Sequence, residues 1–384
     1  MDFLCKRLLR RPILSLLRIV LGAVLCLLVC LLLRHQSEQE SRLREIQSSF
    51  EILCIVTNRR GTQSESLRMP PLTLSALTLD SSPLRPHIRD LRLTKEFEYS
   101  ALALGVNAGL LRGVTNERCA EDLDPARGGE LQLLREDFFT STEPLLLLSR
   151  ELYERMDGEQ VTLTVTDPYI DRRVSPELGV GTLEARVAGW YAGSGETVYF
   201  PYPAAEALAY ELSGRVSCDA AAFLAADNTK LDELRQAASG SFGPVDPQAG
   251  PDADPRYALL LHDEGYRTTL AVTEQNLRQV RVLLPAAILL ILAEGFLLCF
   301  LSTRGEEKRY ALMRTLGQSR SRLLAGMLAE QLLPPLPAAL VVGVLLGLLL
   351  PVAVFMICHT AGCLAAAART LRVRPAVLLR NTEE

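Results

Sequence analysis

Apolar runs too long for the core of a soluble domain punctuate the chain at both ends. The first, Ile13 to Leu33, carries a single charge, Arg18, near its start. At 1.5 Å rise per residue, about 20 helical residues cross a hydrocarbon core of about 30 Å, so this run predicts a membrane span with Arg18 snorkelling back to the interface. The basic segment before it (Lys6, Arg7, Arg10, Arg11) also fits a signal peptide, but the residues after the run, Leu33-Arg34-His35-Gln36-Ser37-Glu38, lack a small-x-small cleavage site, which predicts an uncleaved anchor. A second run, Leu283 to Leu301, predicts another crossing and holds one charge, Glu294. The third, Leu332 to Ala368, has no formal charge and would make a helix of roughly 55 Å, beyond any single crossing. It predicts two spans that turn near Pro351, the first opening near Met327 and taking in Glu330. Pro334, Pro335 and Pro337 remove backbone donors there and predict a kink.

Basic residues accumulate on the cytoplasmic side of membrane proteins. The N-terminal segment, the loop between spans two and three (Arg304, Lys308, Arg309, Arg314, Arg320, Arg322) and the tail (Arg369, Arg372, Arg374, Arg380) all fall inside if there are four spans. Three spans would put the Arg-rich tail outside. The expected fold class is therefore an α-helical polytopic membrane protein with four transmembrane helices and a large mixed α/β extracytoplasmic domain between spans one and two. Its parts are residues 1–33 (cytoplasmic N-terminus and first span), 34–282 (outer domain), 283–301 (second span), 302–326 (inner loop), 327–369 (hairpin of spans three and four) and 370–384 (cytoplasmic tail).

Within the outer domain, β-type runs fall at Phe50 to Val56, Val161 to Val165, Leu183 to Val187 and Val198 to Phe200, and helical stretches at Leu146 to Met156, Ala204 to Leu212 and Asn228 to Ala238. Gly240 to Pro255, rich in Gly, Pro, Ser and Asp, reads as a surface loop. The polar segments His35 to Gln47 and Thr268 to Val282 flank the domain; as helices they would prolong spans one and two outward and carry a shift of the spans mechanically.

Composition narrows the function. The 48% hydrophobic content fits a chain partly in lipid, and a net charge of −4 without basic blocks interleaved with aromatics excludes a nucleic-acid partner. Nine cysteines include no C-x-x-C, and six lie in or beside apolar runs; Cys54, Cys119 and Cys218 form neither a disulfide framework nor a zinc pattern, which leaves room for one bridge among them. No G-x-x-x-x-G-K-[ST] loop occurs, so the chain lacks the P-loop route to ATP. His87 and His262 of the outer domain sit in no recognisable catalytic motif.

The inner loop Lys308-Arg-Tyr-Ala-Leu-Met-Arg-Thr-Leu-Gly-Gln-Ser-Arg-Ser-Arg-Leu-Leu is amphipathic: Leu312, Met313 and Leu316 share one face of a short helix, Gly317 suits its stop and Ser319 the cap of the next. It resembles the signature after the second span of FtsX/MacB-like permeases. Arg309 stands where that family often has Glu, with Glu306 and Glu307 slightly earlier. The tail Arg374-Pro-Ala-Val-Leu-Leu-Arg380 is similar to the family's closing Pro-x-x-x-Leu-Arg, and Glu330 falls where the third span commonly starts with an acid. Glu143 to Leu152, Val161 to Val165, and Val187-Ala-Gly-Trp-Tyr followed by Val198-Tyr-Phe-Pro-Tyr-Pro resemble the MacB-type periplasmic core. The resemblance implies a non-catalytic permease subunit in a bacterial plasma or inner membrane, both termini cytoplasmic. It implies a permease dimer, identical or related, over two separate ABC ATPase subunits that supply ATP and Mg, and an extracytoplasmic cargo or partner. Arg309, Tyr310, Leu312, Met313, Arg314, Leu316 and Gly317 would be the ATPase-coupling residues.

Glu294 lies near the middle of span two, where an acid costs about 2.5–3.5 kcal/mol to insert, so it is expected to face protein and find a partner, whether as a coupling element, a subunit contact or a helix-paired carboxyl. His359 with Cys358 and Cys363 in span four reads as packing rather than a metal site. Gly343-x-x-x-Gly347 permits close helix approach and is a candidate dimer face. A membrane-anchored sensor or adhesin without an ATPase would use the same outer domain but would not need the amphipathic inner helix.

Overall fold

The computed structural model describes residues 12–156, 158–168, 170, 179–193, 195–242, 257–304 and 306–372. The N-terminal basic segment, the tail from Arg374 to Arg380 and most of the Gly240 to Pro255 loop lie outside the described residues. The chain divides into two compact units, one of residues 47–267 and one of residues 1–46 with 268–384.

The outer unit is built on a mixed sheet of ten strands. In chain order its elements are β1 (Leu53–Asn58), α2 (Pro71–Thr78), β2 (Ile88–Ala101), β3 (Val106–Val114), β4 (Leu131–Leu133), β5 (Leu145–Ser149), α3 (Arg150–Glu154), β6 (Gln160–Thr166), β7 (Val180–Tyr191), β8 (Thr197–Pro201), α4 (Tyr202–Ser213), β9 (Ala220–Ala225), α5 (Leu231–Ser241) and β10 (Tyr257–Leu261). Helix α1 (Pro12–Ser49) precedes them. The strands run β10-β1-β9-β2-β3-β8-β5-β7-β4, and β6 pairs with both β2 and β7, so the pairings β2-β3-β8-β5-β7-β6-β2 close on themselves. Phe97, Leu111, Leu163, Val165, Val198 and Phe200 from this ring, with Ala205 and Leu208 of α4, form its main core.

Three of the β-type runs read from the sequence lie wholly in strands and the first, Phe50 to Val56, becomes one only from Leu53, while Ala204 to Leu212 and Asn228 to Ala238 lie in α4 and in a 3-10 turn leading into α5. Leu146 to Met156 is not one helix. Its first half is β5, with Leu145 through Ser149 all buried, and only Arg150–Glu154 are helical. A contiguous Leu run has no period to tell helix from strand, and here β7 and β8 cover both its edges.

One charged pair sits inside this unit. Lys95 Nζ lies 3.2 Å from Asp219 Oδ2, both side chains 1% exposed, and donates to Ser217 Oγ, while Asp219 Oδ2 accepts from the Glu96 amide. Burial raises the pKa of the Asp219 carboxyl and Lys95 opposes the shift.

The other unit is helical: α1, α6 (Glu264–Arg304), α7 (Glu307–Thr315), α8 (Arg320–Leu332), α9 (Pro335–Leu346) and α10 (Leu349–Arg372). Three of these helices are long and apolar enough to cross a membrane, and α8 with α9, bent by 47°, makes a fourth if the pair is one span. The bend falls at Leu333 and Pro334, where the Pro cluster was expected to kink the chain. The turn into the last helix is made by Gly347 in the left-handed conformation (φ 66°), and Pro351 stands in the first turn of α10, where a missing N–H costs nothing. One sequence expectation changes here. Gly343 is no free dimer face: a Cβ on it would come within 2.4 Å of Val352, so its bareness serves the α9–α10 hairpin, and Gly347 is the turn. Arg18 is 4% exposed, buried among the helices.

Candidate functional site

The segments His35 to Gln47 and Thr268 to Val282 are helical and continuous with the apolar parts of α1 and α6, which run 38 and 41 residues. Their outer ends are fastened within the outer unit. Asn228 Nδ2 donates to the carbonyls of Gln47 (3.0 Å) and Phe50 (2.8 Å), which end α1, and the Tyr266 hydroxyl, in the first turn of α6, donates to the Asn228 carbonyl at 3.1 Å. Phe50 and Tyr266 meet edge to face at 5.8 Å. Asp263, just before α6, accepts from Arg267 at 2.7 Å and from Arg235 of α5. This knot was missed in the sequence, where Asn228 reads only as a helix start; a buried Asn that saturates the last carbonyls of a distant helix leaves no local signature.

At the other end, the inner loop folds as expected into a short helix, α7, closed by Gly317 (φ 89°), and the Ser319 side chain accepts from the Arg322 amide to cap α8. The apolar positions of α7 split, however. Tyr310 (7% exposed) and the half-buried Met313 pack on Cys299, Leu323, Met327, Cys363 and Leu371, whereas Leu312 (54% exposed) and Leu316 (78%) point away from the bundle. Met313 therefore does not share the outward face with Leu312 and Leu316; at 100° per residue it turns toward the bundle beside Tyr310, three positions away. Arg314 Nη1 donates to the Leu371 carbonyl of α10 at 3.1 Å, and Arg309 pairs with Glu306 at 3.5 Å.

Deeper in the bundle, Glu294 of α6 meets His359 of α10, with Oε2 and Nδ1 2.8 Å apart and both side chains buried. His359 Nε2 lies 3.6 Å from Cys363 Sγ, which donates to the Gly295 carbonyl. The partner expected for Glu294 is thus the histidine read as packing. Two glycines make the meeting possible. A Cβ on Gly362 would lie 2.3 Å from the Leu292 carbonyl oxygen, and one on Gly295 would lie 2.6 Å from that of His359. Glu330 of α8 is buried too. Among the described residues no group of three or more His, Cys, Asp or Glu is arranged to hold a metal ion.

No family model and no curated protein matches the chain. Three solved structures similar to it are the periplasmic region of MacB from Actinobacillus actinomycetemcomitans (11% identity, 59% of this chain and 94% of that one, TM-score 0.33), the extracellular domain of the noncanonic ABC-type transporter YknZ from Gram-positive bacteria (10%, 54% and 99%, 0.31) and a domain of a putative permease protein from Porphyromonas gingivalis (12%, 55% and 87%, 0.30).

Proposed function

We propose that the chain is the membrane subunit of an ABC transporter of FtsX/MacB type, one that couples ATP hydrolysis by a separate ATPase to movement of its outer domain. The observation that supports this reading best is the two-faced α7. Tyr310, Met313 and Arg314 hold it to α6, α8 and α10, while Leu312 and Leu316, one turn apart, offer an apolar surface on a loop rich in Arg. A helix fixed on one side and bare on the other suits a partner that pushes on the bundle. The unbroken α1 and α6, with their outer ends fastened by Asn228, Tyr266 and Asp263, supply the other half of a lever. In this reading the permease works as a dimer, ATP and Mg stay with the partner, and the chain carries no catalytic group of its own.

The test is affinity purification of the tagged chain in mild detergent, with partners identified by mass spectrometry, alongside the double substitution Leu312→Asp, Leu316→Asp. Both side chains are exposed, so the variant should insert and fold. A P-loop ATPase recovered with the native chain and lost with the variant supports the proposal. An intact, inserted chain that brings down no ATPase favours the sensor or adhesin.

A further inference from the structure

Among the described residues of this unit, one face of the sheet holds a cleft where β1, β9 and β2 lie side by side. Ile55, Ala222 and Arg92 stand in one cross-strand row and Ala220 beside Thr94 in the next. Ala220 and Ala222 are only half-buried, at strand positions where branched or aromatic side chains ordinarily fill the surface. Their small size leaves a cleft of about 290 Å³ floored by alanine. Four arginines line it, Arg92, Arg112, Arg118 and Arg127, with the carboxylates of Glu65 and Glu96, and Asp90, Glu121, Asp124 and Glu51 pair with the arginines from outside the lining.

The guanidinium groups are positioned before any ligand arrives. Arg112 Nε donates to Glu96 Oε1 at 2.9 Å, directly across β2 and β3. Arg92 Nη2 and Arg118 Nη1 both donate to Asp90 Oδ2, at 2.9 and 3.3 Å, and Arg127 Nη1 donates to Glu121 at 2.8 Å. Asp90 and Glu121 do not line the cleft, and these bonds use only part of each fork of five N–H donors. Asp90 accepts them from the left-handed region (φ 53°), which Asp enters more readily than most side chains. The other two non-glycine residues with positive φ among the described residues, Ser66 and Arg68, lie just after Ser64 and Glu65 at the rim.

We infer that this cleft binds an oxyanion of the phosphate type carried by a small molecule or a lipid head group. Planar forks converging on a small-residue floor match phosphate oxygens two at a time, which a lone ammonium would not do. The inference concerns the chain alone and stands or falls separately from the permease reading.

The test uses the full-length protein in an uncharged detergent, titrated calorimetrically with inorganic phosphate, with glycerol 3-phosphate and with mixed micelles containing phosphatidylglycerol, each against chloride at equal ionic strength. A saturable response that chloride does not reproduce is expected, weakened about tenfold or more in Arg92→Gln, Arg118→Gln and equally in Ala222→Leu. The second variant keeps every charge and fills only open space, so it separates a shaped site from general attraction and survives any folding defect in the first. A response to the free anions assigns a soluble ligand; one confined to phosphatidylglycerol assigns a lipid head group. No saturable response in any arm, or an undiminished one in Ala222→Leu, overturns the inference.

Discussion

The tightest point of the helical unit is the crossing of α6 and α10, and a single methyl group should open it. In Gly362→Ala the new Cβ would sit 2.3 Å from the Leu292 carbonyl oxygen and 3.0 Å from the Phe296 nitrogen, where ordinary contact begins near 3.4 Å. Both obstacles are backbone, so the helices must part by about 1 Å, since neither can rotate away as a side chain would. That displacement stretches the Glu294–His359 contact from 2.8 Å beyond hydrogen-bonding range, and with it the Cys363 bond to the Gly295 carbonyl. Overpacking costs about 1–3 kcal/mol and an interhelical hydrogen bond in a membrane protein about 0.6–1.7 kcal/mol, so the loss should be roughly 2–4 kcal/mol. The control is Gly326→Ala in α8, whose Cβ would meet nothing within 4 Å and which should gain up to about 1 kcal/mol of helix propensity. Glu294→Gln keeps the crossing and a hydrogen-bonding amide, so it should fall between them, losing no more than about 1.7 kcal/mol. Sodium dodecyl sulfate titration of the purified protein, followed by its helical circular dichroism, ranks the three. If Gly362→Ala unfolds together with Gly326→Ala, the close crossing does not exist.

Two predictions concern the outer unit. Lys95→Met leaves the Asp219 carboxylate buried without its cation and should cost about 3–5 kcal/mol, whereas Lys95→Met with Asp219→Leu should recover a large part of it; thermal unfolding watched by the single Trp190 reports both. Asn228→Ala strips the carbonyls of Gln47 and Phe50 of a shared donor, about 1–3 kcal/mol, and hydrogen exchange should quicken in the last turn of α1 and the first of α6 while the amides of β2 and β3 stay protected.

The range of each interaction decides whether the sequence displays it or hides it. The spans, the inner helix with its Gly317 stop and Ser319 cap, and the four short strands rest on contiguous runs or on spacings within one or two turns. Strand β2 is written just as locally, with Leu93, Phe97, Tyr99 and Ala101 alternating inward, but Lys95 in the same register reads as a surface residue until Asp219, far along the chain, is placed beside it. Strand β9 is disguised by Ala220, Ala221 and Ala222, which favour helix and make sense only beneath an open cleft. Glu294 called for a partner, yet His359 is 65 residues away on another helix; the available signal was that one is the sole acid and the other the sole histidine of its span. The face of α7 went wrong at Met313 because periodicity groups apolar side chains without saying which of them the bundle already uses.

In the proposed reading the two long helices cannot serve as equal levers. Helix α1 has no proline between Pro12 and Ser49 once it has begun, and Asn228 fastens its outer end. Helix α6 contains Pro285, which cannot donate to the carbonyl of Arg281 and whose ring crowds the preceding turn, so the ladder is weakest where the polar stretch gives way to the apolar one. Inward of that point α6 is clamped to α10 by Gly295, Gly362 and the Glu294–His359 pair, and α10 in turn accepts Arg314 of α7. A push on Leu312 and Leu316 would therefore reach α6 through α7 and α10 and meet a compliant turn at Pro285 before the outer stretch. Helix α1 has no such turn, so under the same push the two helices would yield unequally.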